Sequence, residues 1–319
     1  MLTDEVIYSR ATCARHYANT THVTLPNGLS VEYAIHGSGP EKLLLIMGLH
    51  FEKEAWLPVI STLLDDPNAD ANKYQLVSFD NRGVGGSDKP WELYSTTQMA
   101  MDALHLLDAL KWPTAHIVGI SMGGMIAQEL AFMAPDRVQS LTLLVTAPGF
   151  RRGPLPRLHQ LAGYWSSVKN MLPPTRESIT DMLLFTLYPE PYLSQTTHDN
   201  QSVGTMLQKF HMDRLKFARN QISGAIGQAT AILRHDMSAA RLRRIQAAGF
   251  PILVVAATED RLLHSDNSKY LYRHLKGPRT HKLVFEETGH AVHVQQRTQV
   301  AKALVEQIDR NPMTASSCA

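Results

Sequence analysis

Six short apolar runs along the chain predict strands that are buried on both faces. They are Lys42–Gly48, Gln75–Asp80, Ala115–Ile120, Ser140–Val145, Pro251–Ala257 and His281–Phe285. Before the first run, two further strand patterns join at Asn27-Gly28, a dipeptide that strongly favours tight hairpin turns. Together these patterns predict eight strands, of which the first two form an antiparallel hairpin.

Helical periodicity fills the intervals between these runs. The predicted helices are Ala55–Leu64, Thr96–Leu110, Gly123–Ala134, Asp266–Leu275 and Val292–Ile308. Strands that alternate with helices are typical of a parallel sheet covered on both faces. The sequence therefore predicts an α/β fold with a mostly parallel, eight-stranded sheet.

Residues 149–248 interrupt this alternation, because they carry prolines and helical patterns but no convincing buried strand. The helical patterns lie at 158–172, 177–187 and 202–233. We expect an N-terminal extension (1–22), a core (23–148 and 249–319) and an inserted helical cap (149–248). Ligands of open α/β sheets bind beyond the carboxyl ends of the strands, where such a cap would lie.

The composition is that of an ordinary globular protein. With 44% hydrophobic residues and a formal net charge of +2, the 319 residues argue against a nucleic-acid binder, a disordered chain or a fibre. No run approaches the roughly 20 apolar residues of a membrane span. The first residues include Asp4 and Glu5 and lack the apolar stretch of a secretory signal. We therefore expect a cytoplasmic protein without nucleic-acid or membrane partners, whose oligomeric state stays open.

Three glycines surround Ser121, where an apolar run gives way to a helical pattern. Gly119-Ile120-Ser121-Met122-Gly123 fits G-x-S-x-G, a pattern that holds a nucleophilic serine at a strained strand-to-helix turn. Gly119 and Gly123 leave room for that turn. The free N–H groups at the start of the helix favour developing negative charge. The alternative is an ordinary turn in which the glycines only relieve crowding.

A serine hydroxyl is a weak nucleophile without a base, and two later strands each precede a suitable partner. Asp260 follows the run Pro251–Ala257, and His290 follows the last run, which gives the order Ser…Asp…His. Alternatively, Asp260 caps a helix, with Glu259 as its nearest rival, and His290 is one of fifteen scattered histidines. No catalytic role is assigned to His50, His264 or His293.

Cleavage of a carbonyl compound also needs hydrogen-bond donors for the oxyanion, and loss of one typically lowers the rate about 10²–10³-fold. The predicted donors are the backbone N–H of Met122, directly after the serine, and that of Leu49. Leu49 lies in the loop after the third strand, where Gly48 lets the backbone turn inward.

Five stretches in this order resemble the α/β-hydrolase superfamily, in its branch with a helical cap between the sixth and seventh strands. They are AIHGSGPEKLLLIMG, VSFDNRGVGGSD, VGISMGGMIAQELAFMAPDRV, PILVVAATEDRLL and ETGHAV. The resemblance covers about Val23 to Ile308 and implies the α/β-hydrolase fold. It is specific for the fold and for no substrate.

The resemblance also implies roles for residues outside the three catalytic candidates. Asp80, Arg82 and Ser87 are expected to form a structural turn that braces the oxyanion loop and the serine elbow. Met47 stands before Gly48 where the family usually has histidine. This departure leaves the backbone donor in place and makes the site more apolar.

Together, the residues and the resemblance predict a serine hydrolase. Ser121 would attack a carbonyl, His290 oriented by Asp260 would move the proton, and the N–H groups of Met122 and Leu49 would hold the oxyanion. The expected substrate is a small to medium, fairly apolar ester or lactone, and no metal or organic cofactor is expected. One alternative keeps the triad but hydrolyses carbon–carbon bonds or makes peracids without a cofactor. Another is a small-molecule receptor that keeps the fold without catalysis.

Overall fold

The computed structural model describes residues 2–154, 160–163, 175–215, 219 and 221–310. Its strands are β1 (Thr21–Thr24), β2 (Ser30–Gly37), β3 (Glu41–Ile46), β4 (Tyr74–Phe79), β5 (Ala115–Ile120), β6 (Val138–Leu144), β7 (Ile252–Ala257) and β8 (Thr280–Phe285). They form one sheet in the order β1-β2-β4-β3-β5-β6-β7-β8. Strand β2 pairs antiparallel with β1 and β4, and all other pairs are parallel. The predicted α/β fold is confirmed.

The strands are continuous apolar runs because both faces of the sheet are covered. In β3, Leu44 and Ile46 pack in the apolar layer that includes helices α4 (Thr96–Ala109) and α5 (Met122–Met133). Leu43 and Leu45 point to the opposite layer, which includes α3 (Leu57–Leu64). Successive side chains of a strand face opposite sides, so both sets must be apolar.

The remaining helices lie at the two ends of the chain, between β6 and β7 and, in the case of the helix Asp266–Leu275, between β7 and β8. They are α1 (Asp4–Ile7), α2 (Arg10–Tyr17), α6 (Arg176–Leu187), α7 (Glu190–Leu193), α8 (Val203–Leu215), α9 (Ile222–Arg234), α10 (Ala239–Ala247), α11 (Asp266–Leu275), α12 (Val292–Gln295) and α13 (Arg297–Asp309). A short 3₁₀ helix (Lys53–Trp56) precedes α3. Within the described ranges, none of the helices has the length and apolar character needed to cross a bilayer.

Two predicted helices are wrong as single helices. The pattern at 202–233 comprises α8 and α9, and the pattern at Val292–Ile308 is divided into α12 and α13 at Gln296. Beside this second break, the Gln295 side chain donates to the Glu287 carbonyl (2.9 Å) and accepts from the Gly289 N–H (3.0 Å). The predicted helix at 158–172 lies outside the described residues except for 160–163, which are helical.

Described parts of the β6–β7 segment (residues 145–251) pack over the chain that follows β8. An apolar cluster joins α6, Tyr188 and α8 to Ala291 and Val294, which flank the start of α12. The N-terminal helices contact the same segment, because Arg10 pairs with Asp213 (2.8 Å) and the rings of Tyr8 and Phe210 lie 5.0 Å apart. Part of the segment therefore lies close to the carboxyl ends of the strands.

Three buried histidines predict how stability depends on pH. Burial lowers the pKa of His36, His235 and His293 to about 3, whereas an unfolded chain takes up these protons near pH 6.5. The stability from each neutral ring is thus complete above pH 6.5 and is lost progressively as the pH falls towards 3. Each histidine is expected to contribute about 1.4 kcal/mol to this loss per pH unit.

Denaturant midpoints measured between pH 7.5 and pH 5 check this expectation. In His235→Asn, the fall in the free energy of unfolding per pH unit should be smaller than in the wild type by about 1.4 kcal/mol, the contribution of one histidine. His198→Asn, at a side chain that is 80% exposed, should leave the dependence unchanged. Equal slopes in His235→Asn and wild type would refute the assignment.

Candidate active site

Ser121 occupies the turn between β5 and α5 with a backbone conformation that L-residues rarely adopt. Its φ is 54° and its ψ is −121°, and such strain persists only where the surroundings hold it. The Ser121 N–H donates to the Leu144 carbonyl (3.0 Å), and the Thr146 hydroxyl donates to the Ser121 carbonyl (2.7 Å). The neighbouring strand β6 and the residues that follow it thus fix the turn.

Both glycines of the motif are required by close backbone contacts. A Cβ on Gly119 would lie 2.3 Å from the Gly123 carbonyl oxygen, and one on Gly123 would lie 2.1 Å from the Ile46 carbonyl oxygen. No side chain fits at either position. The close approach also places the first turn of α5 against the end of β3.

Asp260 and His290 lie together beyond the ends of β7 and β8. The imidazole Nδ1 is 2.7 Å from Asp260 Oδ2, and it donates there because a carboxylate only accepts. The other carboxylate oxygen accepts the N–H groups of Leu262 and Leu263, both at 2.8 Å. Asp260 is 2% exposed, whereas its rival Glu259 is exposed. Nε2 is therefore the ring nitrogen left for another partner.

Ser121, Asp260 and His290 all follow the carboxyl ends of parallel strands, so they share one edge of the sheet. The serine hydroxyl makes no hydrogen bond to His290 or to another residue in the described part of the chain. The loop after β3 (residues 47–52) approaches closely, since a Cβ on Gly48 would lie 3.2 Å from Ser121 Cβ. The structure thus brings Asp260 to His290, and Gly48 to Ser121, without joining the serine to the imidazole.

Two backbone donors are free at this edge. Neither the N–H of Met122, the first residue of α5, nor that of Leu49 donates to any residue that the structure describes. The surrounding loop is fixed on both sides: Asn81 Nδ2 donates to the Met47 carbonyl (2.9 Å), and the His50 N–H donates to Gln228 Oε1 (2.9 Å). Free backbone donors beside a serine hydroxyl are an arrangement that can stabilise an oxyanion.

The predicted bracing turn differs from expectation at Arg82. Asp80 does contact the chain directly after residues 47–52, since its carboxylate accepts the Lys53 N–H (2.7 Å). The Ser87 hydroxyl donates to the backbone carbonyl of Asp80 (2.6 Å). The Arg82 guanidinium instead pairs with Asp102 on α4 (2.6 and 2.8 Å). Its side chain therefore ties the turn to α4, and bonds neither the loop nor the elbow.

Lys53 is a buried residue that sequence reasoning missed. Its side chain is 2% exposed, and its ammonium group contacts the carboxylates of Glu32, Asp80 (3.0 Å) and Glu54 (3.1 Å). Although burial lowers the pKa of Lys53, these carboxylates raise it above its ordinary value. In sequence it stands in the polar stretch FEKEAW, which gives no sign of burial.

Two of the three unassigned histidines have side chains held by neighbours, and the third, His50, is held through its backbone N–H. The His293 ring packs edge-on against Trp56 (5.6 Å between centroids), and His264 Nδ1 accepts the Asp266 N–H (3.0 Å). His264 also lines a cavity of about 20 Å³ with Met125 and other small or apolar residues. Within the described ranges, no group of three or more His, Cys, Asp or Glu side chains is arranged to hold a metal ion.

Curated relatives match parts of the chain. Over 123 residues it is 37% identical to RutD of Azorhizobium caulinodans, a protein provisionally named a carbamate hydrolase. The matched region covers 38% of this chain and 43% of that protein. The chain is 31% identical over 197 residues to BpoC of Mycobacterium tuberculosis, provisionally named a non-heme bromoperoxidase, covering 59% of this chain and 65% of that protein. The matched parts span less than two thirds of either relative.

Solved structures match nearly the whole fold. The enol-lactonase of Burkholderia xenovorans LB400 superimposes with a TM-score of 0.72 at 20% identity, covering 91% of this chain and all of that one. A thermophilic esterase of Thermogutta terrifontis gives 0.69 at 19% identity, covering 92% and 98%. A family model described as alpha/beta hydrolase fold matches residues 43–296. Since this match takes in most of the sequence, the chain belongs to the α/β-hydrolase fold family.

Proposed function

We propose that the protein is a serine hydrolase that cleaves a carboxylic ester or lactone of a small to medium, apolar substrate. The observation that carries the proposal is the strained conformation of Ser121 at the start of α5. Backbone strain of this kind clusters at functional sites. The Asp260–His290 pair at the same edge of the sheet supports it, because it supplies the base that a serine hydroxyl needs.

In the proposed mechanism, Ser121 Oγ attacks the carbonyl carbon while His290 Nε2 takes the hydroxyl proton. Asp260 accepts the Nδ1 hydrogen bond and stabilises the imidazolium that forms. The N–H groups of Met122 and Leu49 bind the oxyanion, which collapses as the alkoxide leaves with the proton from His290. Water then attacks the acyl-enzyme with the same base, releases the acid and restores the serine hydroxyl.

The residues around the pair support an apolar acyl group. Met47 is the first residue of the loop after β3, where the family usually has histidine, and it packs in the buried apolar cluster that also contains Val292, two residues after His290. On the other side, Leu187 and Tyr188 pack against Ala291, directly after His290. We propose that residues 149–248 form a cap over this site and that the flanking segments form the catalytic core.

Labelling by a fluorophosphonate probe, mapped by peptide mass spectrometry, tests the proposal. The native protein should carry the label on Ser121, and heat-denatured protein should not react. Initial rates on p-nitrophenyl esters of increasing acyl length and on simple lactones should then rank the substrates. A folded protein that neither reacts with the probe nor turns over any ester would favour the receptor alternative.

The bromoperoxidase name of the relative BpoC favours a second candidate, in which hydrogen peroxide takes the place of water. The acyl-enzyme would then release a peracid and regenerate the Ser121 hydroxyl, with the proton of peroxide passing through His290. Peracid formation from acetate and hydrogen peroxide would be measured by monochlorodimedone bromination. Ester hydrolysis without any peracid formation would exclude this second candidate and retain the esterase proposal.

A further inference from the structure

We propose that Gln228 of helix α9 is a positioning residue that holds the oxyanion loop in its active conformation. The inference rests on the proposed function, since it concerns the donor at Leu49. It assigns to the β6–β7 segment a part in forming the site, through a direct bond to the loop after β3.

Gln228 is fully buried and joins two separate parts of the core. Its Oε1 accepts the N–H of His50 (2.9 Å), and its Nε2 donates to the carbonyl of Arg82 (2.9 Å). The side-chain amide thus uses its acceptor and one donor on backbone groups that belong to two different loops. A glutamine with both ends engaged in this way has one orientation.

The contact falls on the strained residue of the loop. His50 has a φ of 61°, a value that is uncommon for a residue with a side chain. It directly follows Leu49, whose N–H is the proposed oxyanion donor. If the His50 N–H lost its acceptor, a backbone donor in a half-buried loop would be left without a protein partner, which is unfavourable. The loop would then relax towards a conformation that satisfies this group, and the Leu49 N–H would move with it.

Helix α9 lies unusually close to the turn that carries Arg82, which lets a side chain as short as glutamine reach the loop. A Cβ on Gly224 would lie 1.9 Å from the Gly83 carbonyl oxygen, and one on Gly227 would lie 2.3 Å from the Tyr94 ring. The Ser223 hydroxyl also donates to the Lys89 carbonyl (2.9 Å). These contacts fix the helix, so the Gln228 side chain holds the His50 N–H, and with it the loop, in a defined position.

The test compares Gln228→Leu with Thr230→Val on the same helix. Among the residues that the structure describes, the Thr230 hydroxyl bonds only the carbonyl of Gly227 in its own helix. Its variant therefore matches the loss of a polar group without touching the loop. Gln228→Leu should lower kcat on the best ester about 10–100-fold. The loss is smaller than the 10²–10³-fold loss that follows removal of an oxyanion donor, because the Leu49 N–H is displaced and not removed. The KM of Gln228→Leu should stay within about threefold of wild type, and Thr230→Val should change neither value.

Amide hydrogen exchange gives a second readout that needs no activity. In Gln228→Leu, exchange of residues 48–51 should become faster, whereas exchange of the strands should not change. If Gln228→Leu does not fold, Gln228→Glu replaces it, because a carboxylate keeps the acceptor for the His50 N–H but loses the donor to Arg82. Gln228→Glu should therefore keep most of the wild-type kcat. Its amide exchange at residues 48–51 should stay close to that of the wild type.

The outcomes separate this inference from the proposed function. Unchanged kcat and unchanged exchange in a folded Gln228→Leu protein would overturn the positioning role, as would a rise in KM alone. A wild-type protein that does not react with the fluorophosphonate would overturn the hydrolase proposal. The exchange comparison would then still decide whether Gln228 holds the loop.

Discussion

Replacing Ser121 with alanine is expected to lower kcat on the best ester by about 10⁶-fold, the size of loss found when the nucleophile of a serine hydrolase is removed. The substitution deletes only the attacking oxygen and keeps the Cβ, so the strained turn should still form. Residual turnover would come from substrate binding and the backbone donors alone. Steady-state kinetics on one p-nitrophenyl ester, together with loss of fluorophosphonate labelling, measures the effect.

Ser268→Ala is the matched control for this variant. Ser268 is buried, whereas Ser121 is partly exposed, and the Ser268 hydroxyl donates to the Val255 carbonyl (3.4 Å) away from the elbow. It should keep kcat within about threefold of wild type. Full activity in Ser121→Ala at an unchanged thermal midpoint would show that a different group attacks the substrate.

Asp260→Asn should lower kcat by about 10⁴-fold while the protein keeps its fold. The carboxylate makes the Nδ1 nitrogen of His290 the protonated one and stabilises the positive charge that the ring gains. A carboxamide supplies no such charge, and it can present an N–H to Nδ1, which leaves the proton on Nε2. A ring in that tautomer cannot accept the proton of Ser121.

Glu259→Gln removes the adjacent carboxylate and serves as the control. Glu259 is exposed, and its backbone N–H, which the substitution keeps, donates to the Thr288 carbonyl (2.9 Å). Its kcat should match wild type. The opposite ranking, with a large loss in Glu259→Gln and a small one in Asp260→Asn, would assign the acid to Glu259.

The parts of the fold that could be predicted are those with one dominant physical cause. Strands buried on both faces must be apolar throughout, so the run at Ala115–Ile120 gives the bounds of β5 as the structure has them. Glycine at 119 and 123 marks a backbone contact too close for any side chain. Both patterns are recognised over a few neighbouring residues, although the carbonyl that excludes a side chain at Gly123 belongs to Ile46, far away in the sequence.

The contacts that could not be predicted join residues far apart in the chain. Gln228 meets His50 across 178 positions, and Lys53 meets Asp80 and Glu32 across 27 and 21. A glutamine in a helix or a lysine between two glutamates is most often exposed to solvent. The bonds that bury these side chains exist only once the sheet has formed. The positions of Asp260 and His290 could be predicted, because strand order brings the ends of β7 and β8 together.

The bond between Gln228 and the loop after β3 limits how this protein can be recombined with its relatives. A chimera that took its β6–β7 segment from another α/β-hydrolase would bring a new surface to meet the substrate. It would also remove the amide that accepts the His50 N–H. Exchanging the segment to change specificity therefore requires the donor segment to carry a side-chain amide at the equivalent turn of its helix, or a loop after β3 that needs none.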